Sequence, residues 1–199
     1  SRGLGDVYKR QVLYNTFDVT SLVQKAENTV GVLLGNGWYN QRDRTVEGCM
    51  WYDTPRLLCQ LEIEYTDGST ELVVTDDSWK TTTGPLLHDA IFTGEEYDAR
   101  LELDGWNRNG YKDSSWKKAL LVRAPKGSLH AQLAPHEKII RILQPVSCEQ
   151  KDDSTYWYAF PEMISGWAHI KVQGNAGDRI KLRFVGEEKN DFGQVDLYT

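Results

Sequence analysis

The densest chemistry in the chain is acidic. Glu95, Glu96 and Asp98 fall within GEEYDAR (Gly94 to Arg100), and Glu102 and Asp104 follow at once. Paired carboxylates cleave glycosidic bonds when they face each other about 5–10 Å apart across a cleft, a geometry that sequence clustering does not establish. Carboxylate and Asn oxygens also suit sugar hydroxyls and hard cations such as calcium. A solvated acidic loop is the plain alternative. Aromatic residues give a second signal. Trp38, Tyr39, Trp51, Tyr52, Trp106 and Tyr111 lie in segments rich in Gly, Asn, Arg and Asp rather than inside alternating strands. Exposed rings of this kind stack on the C–H faces of sugars while neighbouring planar polar groups take the hydroxyls; packing at the ends of a sheet is the alternative for any one of them. Trp79 and Trp116, each following a Ser, are assigned to packing.

Other chemistries find no footing. There is no G-x-S-x-G nucleophile elbow, and His88, His130, His136 and His169 are scattered rather than spaced one helical turn apart beside a Glu. Each reads as a surface or satisfied histidine. The glycines of Gly35-Asn36-Gly37 precede aromatic and polar residues instead of a helix, which excludes a phosphate-cradling loop. With 23 Lys and Arg against 29 Asp and Glu, the 199-residue chain carries a net charge of −6 and no basic stripe. Nucleic acid and anionic membrane both need a positive footprint, so neither is an expected partner. The longest apolar stretch, Val30 to Leu34, is far short of the ~20 residues that span a bilayer. Cys49, Cys59 and Cys148 form no CxxC and read as buried or incidental thiols, with a Cys49–Cys59 bridge as the alternative. No residue pattern assigns a compartment.

The elements that position these residues are strands. Hydrophobic residues make up 40% of the chain, seven of the residues are Trp, and no long amphipathic helix is present, which together give a folded, all-β chain. Cys59, Leu61, Ile63 and Tyr65 alternate with polar residues, and Asp67-Gly68 turns the strand back into Glu71 to Thr75. Thr29 to Leu34 is expected as a buried strand closing on a turn forced by Asn36-Gly37. Asp18 or Thr20 caps one or two helical turns over Ser21 to Lys25. Ala168, Ile170 and Val172 alternate as a strand, as do Ile180, Leu182 and Phe184, with Gly174 to Gly177 as their hairpin connection. A turn-rich stretch, Lys189 to Gly193, comes before the end. Pro and Gly breaks at Ala124–Gly127 and Ala134-Pro135 place a domain boundary near residue 140. Residues 1–11, SRGLGDVYKRQ, have neither strand alternation nor a signal-peptide apolar region and are read as a non-native adapter-derived or disordered segment outside the fold.

Several phrases, in this order and spacing, resemble the N-terminal region of bacterial α-L-rhamnosidases. They are FDVTSLVQKAENTVGVLLGNGWY (Phe17 to Tyr39), LEIEYTDGS (Leu61 to Ser69), TDDSWKTTTGPL (Thr75 to Leu86), IFTGEEYDAR (Ile91 to Arg100), and Gly105-Trp106 followed by SSWKKALLV (Ser114 to Val122). The pairing of GNGWY with GEEYDAR is specific, whereas DVT-x-L is shared by many glycosidase sandwich domains. The resemblance implies a galactose-binding-like jelly-roll β-sandwich over 12–138, lacking its first strands, and the beginning of a second, concanavalin-like β-sandwich over 139–199. ILQPVSC (Ile142 to Cys148) and SGWAHIKVQGNAGDRIKLRF (Ser165 to Phe184) resemble the opening of that second unit. Phe160 to Ile164 departs from the family, which has a Gly-x-Asn phrase there.

The same resemblance implies an inverting glycoside hydrolase that releases terminal α-L-rhamnose, whose catalytic carboxylates sit in an (α/α)6 barrel outside these residues. The fragment alone is then expected to be an inactive accessory region with carbohydrate as its ligand and the barrel as its intramolecular partner. Asn36 and Trp38 would place an amide and a ring beside a ligand pocket; Trp106 is a ligand-binding candidate on the aromatic signal described above, not on the resemblance. Glu96, Asp98 and Arg100 would supply hydroxyl or calcium contacts and an orienting salt link, or alternatively secure the interface with the barrel. A free-standing carbohydrate-binding module and a purely structural spacer are the alternatives.

Overall fold

The computed structural model describes residues 11–41, 50–135, 137–186 and 191–199. The expectations for residues 1–10, Cys49, His136, Lys189 and Asn190 lie outside the described residues. Within them the chain is all-β, and its only helical elements are two single 3-10 turns, Thr20–Leu22 and Ala99–Leu101. In chain order the strands are β1 (Gln11–Tyr14), β2 (Asn40–Gln41), β3 (Met50–Trp51), β4 (Gln60–Glu64), β5 (Thr70–Val74), β6 (Lys80–Thr81) and β7 (Leu86–Ala90). They continue with β8 (Gly94–Tyr97), β9 (Lys117–Lys118), β10 (Ser128–Ala131), β11 (Ser147–Gln150), β12 (Tyr156–Ala159), β13 (Ile180–Val185) and β14 (Asp191–Tyr198).

Contacts group the chain into two units. One joins residues 11–21 to Arg123–Val172 and holds the parallel pair β1 with β10 and the antiparallel pair β11 with β12. The other joins Leu22–Val122 to Gln173–Thr199. It holds a four-stranded sheet in the order β13-β14-β8-β7 and the separate pairs β2 with β3, β4 with β5, and β6 with β9. Every sequence-predicted site residue belongs to this second unit.

Local chemistry explains the turns. The β4–β5 hairpin closes on Gly68 at φ 83°, a conformation only glycine adopts without cost, while Asp67 Oδ1 accepts from the Ser69 N–H at 2.9 Å. The same Asp device recurs at Asp76 with Ser78, Asp152 with Ser154, and Asp18 with Thr20. At Asp18 it opens the Thr20–Leu22 turn, as expected from its capping side chain. Cys59 and Cys148 are free thiols.

The alternation read from the sequence is preserved. Leu61 and Ile63 in β4, and Ile180, Leu182 and Phe184 in β13, are half-buried while the residues between them are exposed. Among the described residues, however, no apolar side chain is fully buried; the buried residues with polar side chains are Gln41, Asp98 and Thr199.

Three expectations are corrected. Thr29 to Leu34 is not a strand: no ladder forms along it, and Leu33 is 69% exposed. Ala168 to Gln173 is likewise unpaired, so the hairpin expected across Gly174–Gly177 does not form. An apolar extended run becomes a strand only where a second strand takes up its N–H and C=O groups. The partner of β13 is instead β14, with Ile180 opposite Tyr198 and Leu182 opposite Asp196. Asp191 to Gly193, expected as turn, is the start of β14 because β13 supplies that ladder.

Candidate functional site

The turn at Asn36-Gly37 forms as expected, with Gly37 at φ 48° and the Asn40 N–H donating to the Asn36 carbonyl at 3.1 Å. Asn36 itself is turned toward β7. Its backbone N–H donates to both carboxylate oxygens of Asp89 at 3.0 Å, and its Nδ2 donates to the Asp89 carbonyl at 2.9 Å. Asn36 Oδ1 accepts from Asn40 Nδ2 at 2.6 Å. Gln41 closes the far end of the turn, donating to the Gly37 carbonyl and accepting from the Ile91 N–H at 3.2 Å. Trp38 is presented outward, 46% exposed, with an edge-on contact to Phe92 at 5.4 Å between ring centroids.

GEEYDAR is a sheet segment, not a loop. Gly94 to Tyr97 form β8, which lies between β7 and β14 in the sheet, and Asp98 caps the 3-10 turn Ala99–Leu101 through the Arg100 N–H. Strand alternation puts Glu96 on the face opposite Glu95 and Tyr97. The Tyr97 and Tyr198 rings stack at 5.7 Å with 6° between planes, and Tyr97 Oη donates to Glu102 Oε1 at 2.9 Å. Burial, then this hydrogen bond and the Glu102 charge, push the Tyr97 hydroxyl up to about 12, so it remains a neutral donor.

Asp98 and Arg100 satisfy each other. Arg100 Nε and Nη2 donate to the two Asp98 oxygens at 2.8 and 2.6 Å, a bidentate pair. The Asp98 carboxyl is held below its ordinary value, chiefly by the Arg100 hydrogen bonds and further by the charges of Arg100 and Arg179, against the opposing effect of burial. A carboxyl depressed in the fold stabilises it above the unfolded value near 4 and loses that contribution as pH falls through the folded value. Asp98→Asn is therefore expected to melt lower than the parent at pH 7, with the gap closing below about pH 4; scanning calorimetry across that range checks it.

Glu95 has the opposite sign. Partial burial first, then the nearby Asp196 and Asp89, raise its carboxyl above the ordinary value. The fold then penalises the ionised form at neutral pH, and the penalty disappears as the group protonates. Glu95→Gln is expected to raise the melting temperature at pH 7 and to match the parent below about pH 4, where the carboxyl is neutral in both states. Equal melting at pH 7 would contradict this account.

Trp106 is built into a packing cluster. It stacks with Trp116 at 6.5 Å and 28°, and Trp116 meets Tyr111 edge-on at 5.8 Å. Gly31 makes room for the indole: a Cβ there would lie 2.4 Å from Trp106 Cζ3. Thr29 Oγ1 donates to Asn109 Oδ1 at 2.6 Å and ties the same loop to the 27–31 segment. Trp79 donates its indole N–H to the Val74 carbonyl at 3.2 Å, the packing role expected for it.

The six expected residues thus form three groups: Asn36 with Trp38, Glu96 with Asp98 and Arg100, and Trp106. Among the described residues no hydrogen bond links a member of one group to a member of another. Nor does any group of three or more His, Cys, Asp or Glu among them suit a metal ion, and no helix is long and apolar enough to cross a membrane. Sequence reading passed over Asp89 and Gln41. Asp89 carried a faint signal as a carboxylate among the apolar neighbours of a strand immediately before IFTGEEYDAR; Gln41 carried none.

Comparison with known proteins agrees with this architecture. Residues 5–141 match the family model described as the alpha-L-rhamnosidase N-terminal domain. The chain is 34% identical over 191 residues to an alpha-L-rhamnosidase of Alteromonas sp. (strain LOR), covering 93% of this chain and 20% of that protein. It is 35% identical over 185 residues to one from Formosa agariphila, covering 89% and 19%. Among solved structures, the alpha-L-rhamnosidase of Dictyoglumus thermophilum aligns with a TM-score of 0.78 at 30% identity over 96% of this chain and 22% of that one. The Streptomyces avermitilis alpha-L-rhamnosidase, solved with L-rhamnose, aligns with a TM-score of 0.80 at 25% identity, over 96% and 20%. The chain therefore spans about a fifth of the length of these relatives. With the family model matching more than half of its residues, the chain belongs to the alpha-L-rhamnosidase N-terminal domain family.

Proposed function

We propose that this chain is a sugar-recognition region of an α-L-rhamnosidase-type glycoside hydrolase acting on terminal α-L-rhamnose, and that it does not itself cleave the bond. The observation that carries the recognition role is Trp38: a half-exposed indole on a turn that is hydrogen-bonded at both ends. A ring fixed in this way offers a flat apolar face at little conformational cost, which is what a sugar's C–H face needs. Asn36 serves this site by shaping the turn, since its amide groups are already engaged.

A supporting role for the GEEYDAR segment is favoured by a specific observation: Asp98 and Arg100 are paired to each other, and β8 joins β7 to β14. We read Asp98 and Arg100 as junction residues and Trp106 as the anchor of its loop. The uncovered apolar side chains suit a surface that the rest of a longer polypeptide packs against, as fits a chain spanning about a fifth of its relatives' length. The division into a first sandwich over 12–138 and the start of a second over 139–199 is part of the same reading, supported by the Pro and Gly breaks between them, although β13 and β14 of the second stretch share a sheet with β7 and β8 of the first.

A hydrolysis assay with 4-nitrophenyl α-L-rhamnoside tests the accessory assignment. The chain alone is expected to give no turnover above buffer. Turnover abolished by a single carboxylate substitution in this chain would overturn the assignment.

A further inference from the structure

We propose that Asp89 and Gln41 are the positioning residues of the sugar site, clamping the Asn36–Asn40 turn at two points so that the Trp38 ring stands ready for its ligand. The inference rests on reading Trp38 as the sugar-facing ring. Asp89 lies in β7, fixed by its ladder with β8, and offers both carboxylate oxygens and its carbonyl to Asn36. Gly35 lets the carboxylate approach, because a Cβ there would lie 3.0 Å from Asp89 Oδ2. Gln41, only 1% exposed, uses one end of its amide on the Gly37 carbonyl and the other on the Ile91 N–H. Phe92, the next residue, meets the Trp38 ring.

Asp89 at the end of β7, with Ile91 and Phe92 of the turn that follows it, thus holds Asn36, Gln41 and Trp38 respectively. Without them the five-residue turn would be ordered only when ligand arrives, and the entropy of ordering it would be subtracted from affinity. Asp89→Asn is the sharp variant: it keeps size and shape but can place an amide donor against the Asn36 N–H.

The test uses the full chain, with calorimetric titration of L-rhamnose and acrylamide quenching of the Trp38 fluorescence, taken as the difference from a Trp38→Phe control. Asp89→Asn is expected to weaken L-rhamnose at least about fivefold and to make Trp38 clearly more quenchable before any sugar is added. In a Trp38→Ala background it should have no further effect on the titration. Gln41→Leu is expected to act in the same direction. Gly35→Ala, which crowds the Asp89 carboxylate while leaving every donor and acceptor in place, supplies a second test if Asp89→Asn fails to fold.

Unchanged affinity in a folded Asp89→Asn chain, when Trp38→Ala has lost binding, overturns the positioning role and leaves the recognition role standing. No binding by a cooperatively melting parent chain overturns the recognition role, and the positioning role with it.

Discussion

Replacing Gly94 by alanine is expected to detach β14 from β8 and cost the fold about 3 kcal/mol or more. Gly94 is buried at φ 97°, a region that side-chain-bearing residues rarely enter. A Cβ there would lie 2.1 Å from the Val195 carbonyl oxygen and 2.7 Å from Asp196 Oδ1, and the first of these is backbone that cannot rotate away. The junction it would break is narrow. The parallel β8–β14 register covers Leu197 opposite Glu96 and Tyr198 opposite Tyr97. Around it, the Val195 N–H donates to the Thr93 carbonyl at 3.0 Å, the Glu95 N–H to Asp196 Oδ1 at 3.0 Å, and the Ala99 N–H to the Thr199 carbonyl at 2.9 Å. Thermal melting with hydrogen exchange at Val195 and Thr199 checks the prediction. Protection and melting equal to the parent's would show that the strands can part to admit a methyl group.

The second large effect is at Trp38, where truncation to alanine is expected to weaken sugar binding about thirtyfold, the loss of about 2 kcal/mol common for a central indole contact. The fold should barely register it, because the ring is half-exposed and packs edge-on against Phe92 alone among the described aromatic pairs. Trp106→Ala should behave in the opposite way. It removes the partner of Gly31 and Trp116, so it is expected to lower the melting temperature while leaving sugar affinity near the parent's. Fluorescence titration of both variants, each beside its own melting curve, separates the two roles. Equal loss of affinity in the two would mean that both rings line one site.

What the sequence disclosed divides along physical lines. The β4–β5 hairpin was legible because its information is local: alternation over Cys59 to Tyr65 and an Asp67-Gly68 turn specify it without reference to anything distant. The Asn36-Gly37 turn and the Asp18 cap were legible for the same reason. Thr29 to Leu34 and Ala168 to Gln173 were misread because strand composition does not provide a strand partner. The partnership of β8 with β14 joins residues about a hundred positions apart, and nothing in GEEYDAR announces it. At the site, residue types pointed to Trp38 and Asn36 but not to the manner in which they are used. An exposed asparagine and one bonded three ways to Asp89 look identical in a sequence. Asp98 and Arg100, adjacent but one in the chain, were recognisable as a salt link; that Asp98 caps a 3-10 turn and that the pair closes on itself depends on the folded backbone, which residue types do not specify.

Sugar recognition through the Trp38 turn is the proposed role of this chain. Its most direct test is a calorimetric titration of the folded 199-residue chain with L-rhamnose, with calcium present and then removed by chelator, beside Trp38→Ala and Asp98→Asn chains. Binding in the millimolar range or tighter is expected, weakened about thirtyfold in Trp38→Ala and retained in Asp98→Asn where the latter is folded. A cooperatively melting chain that releases no heat with L-rhamnose, with or without calcium, would contradict it and make the region a structural support.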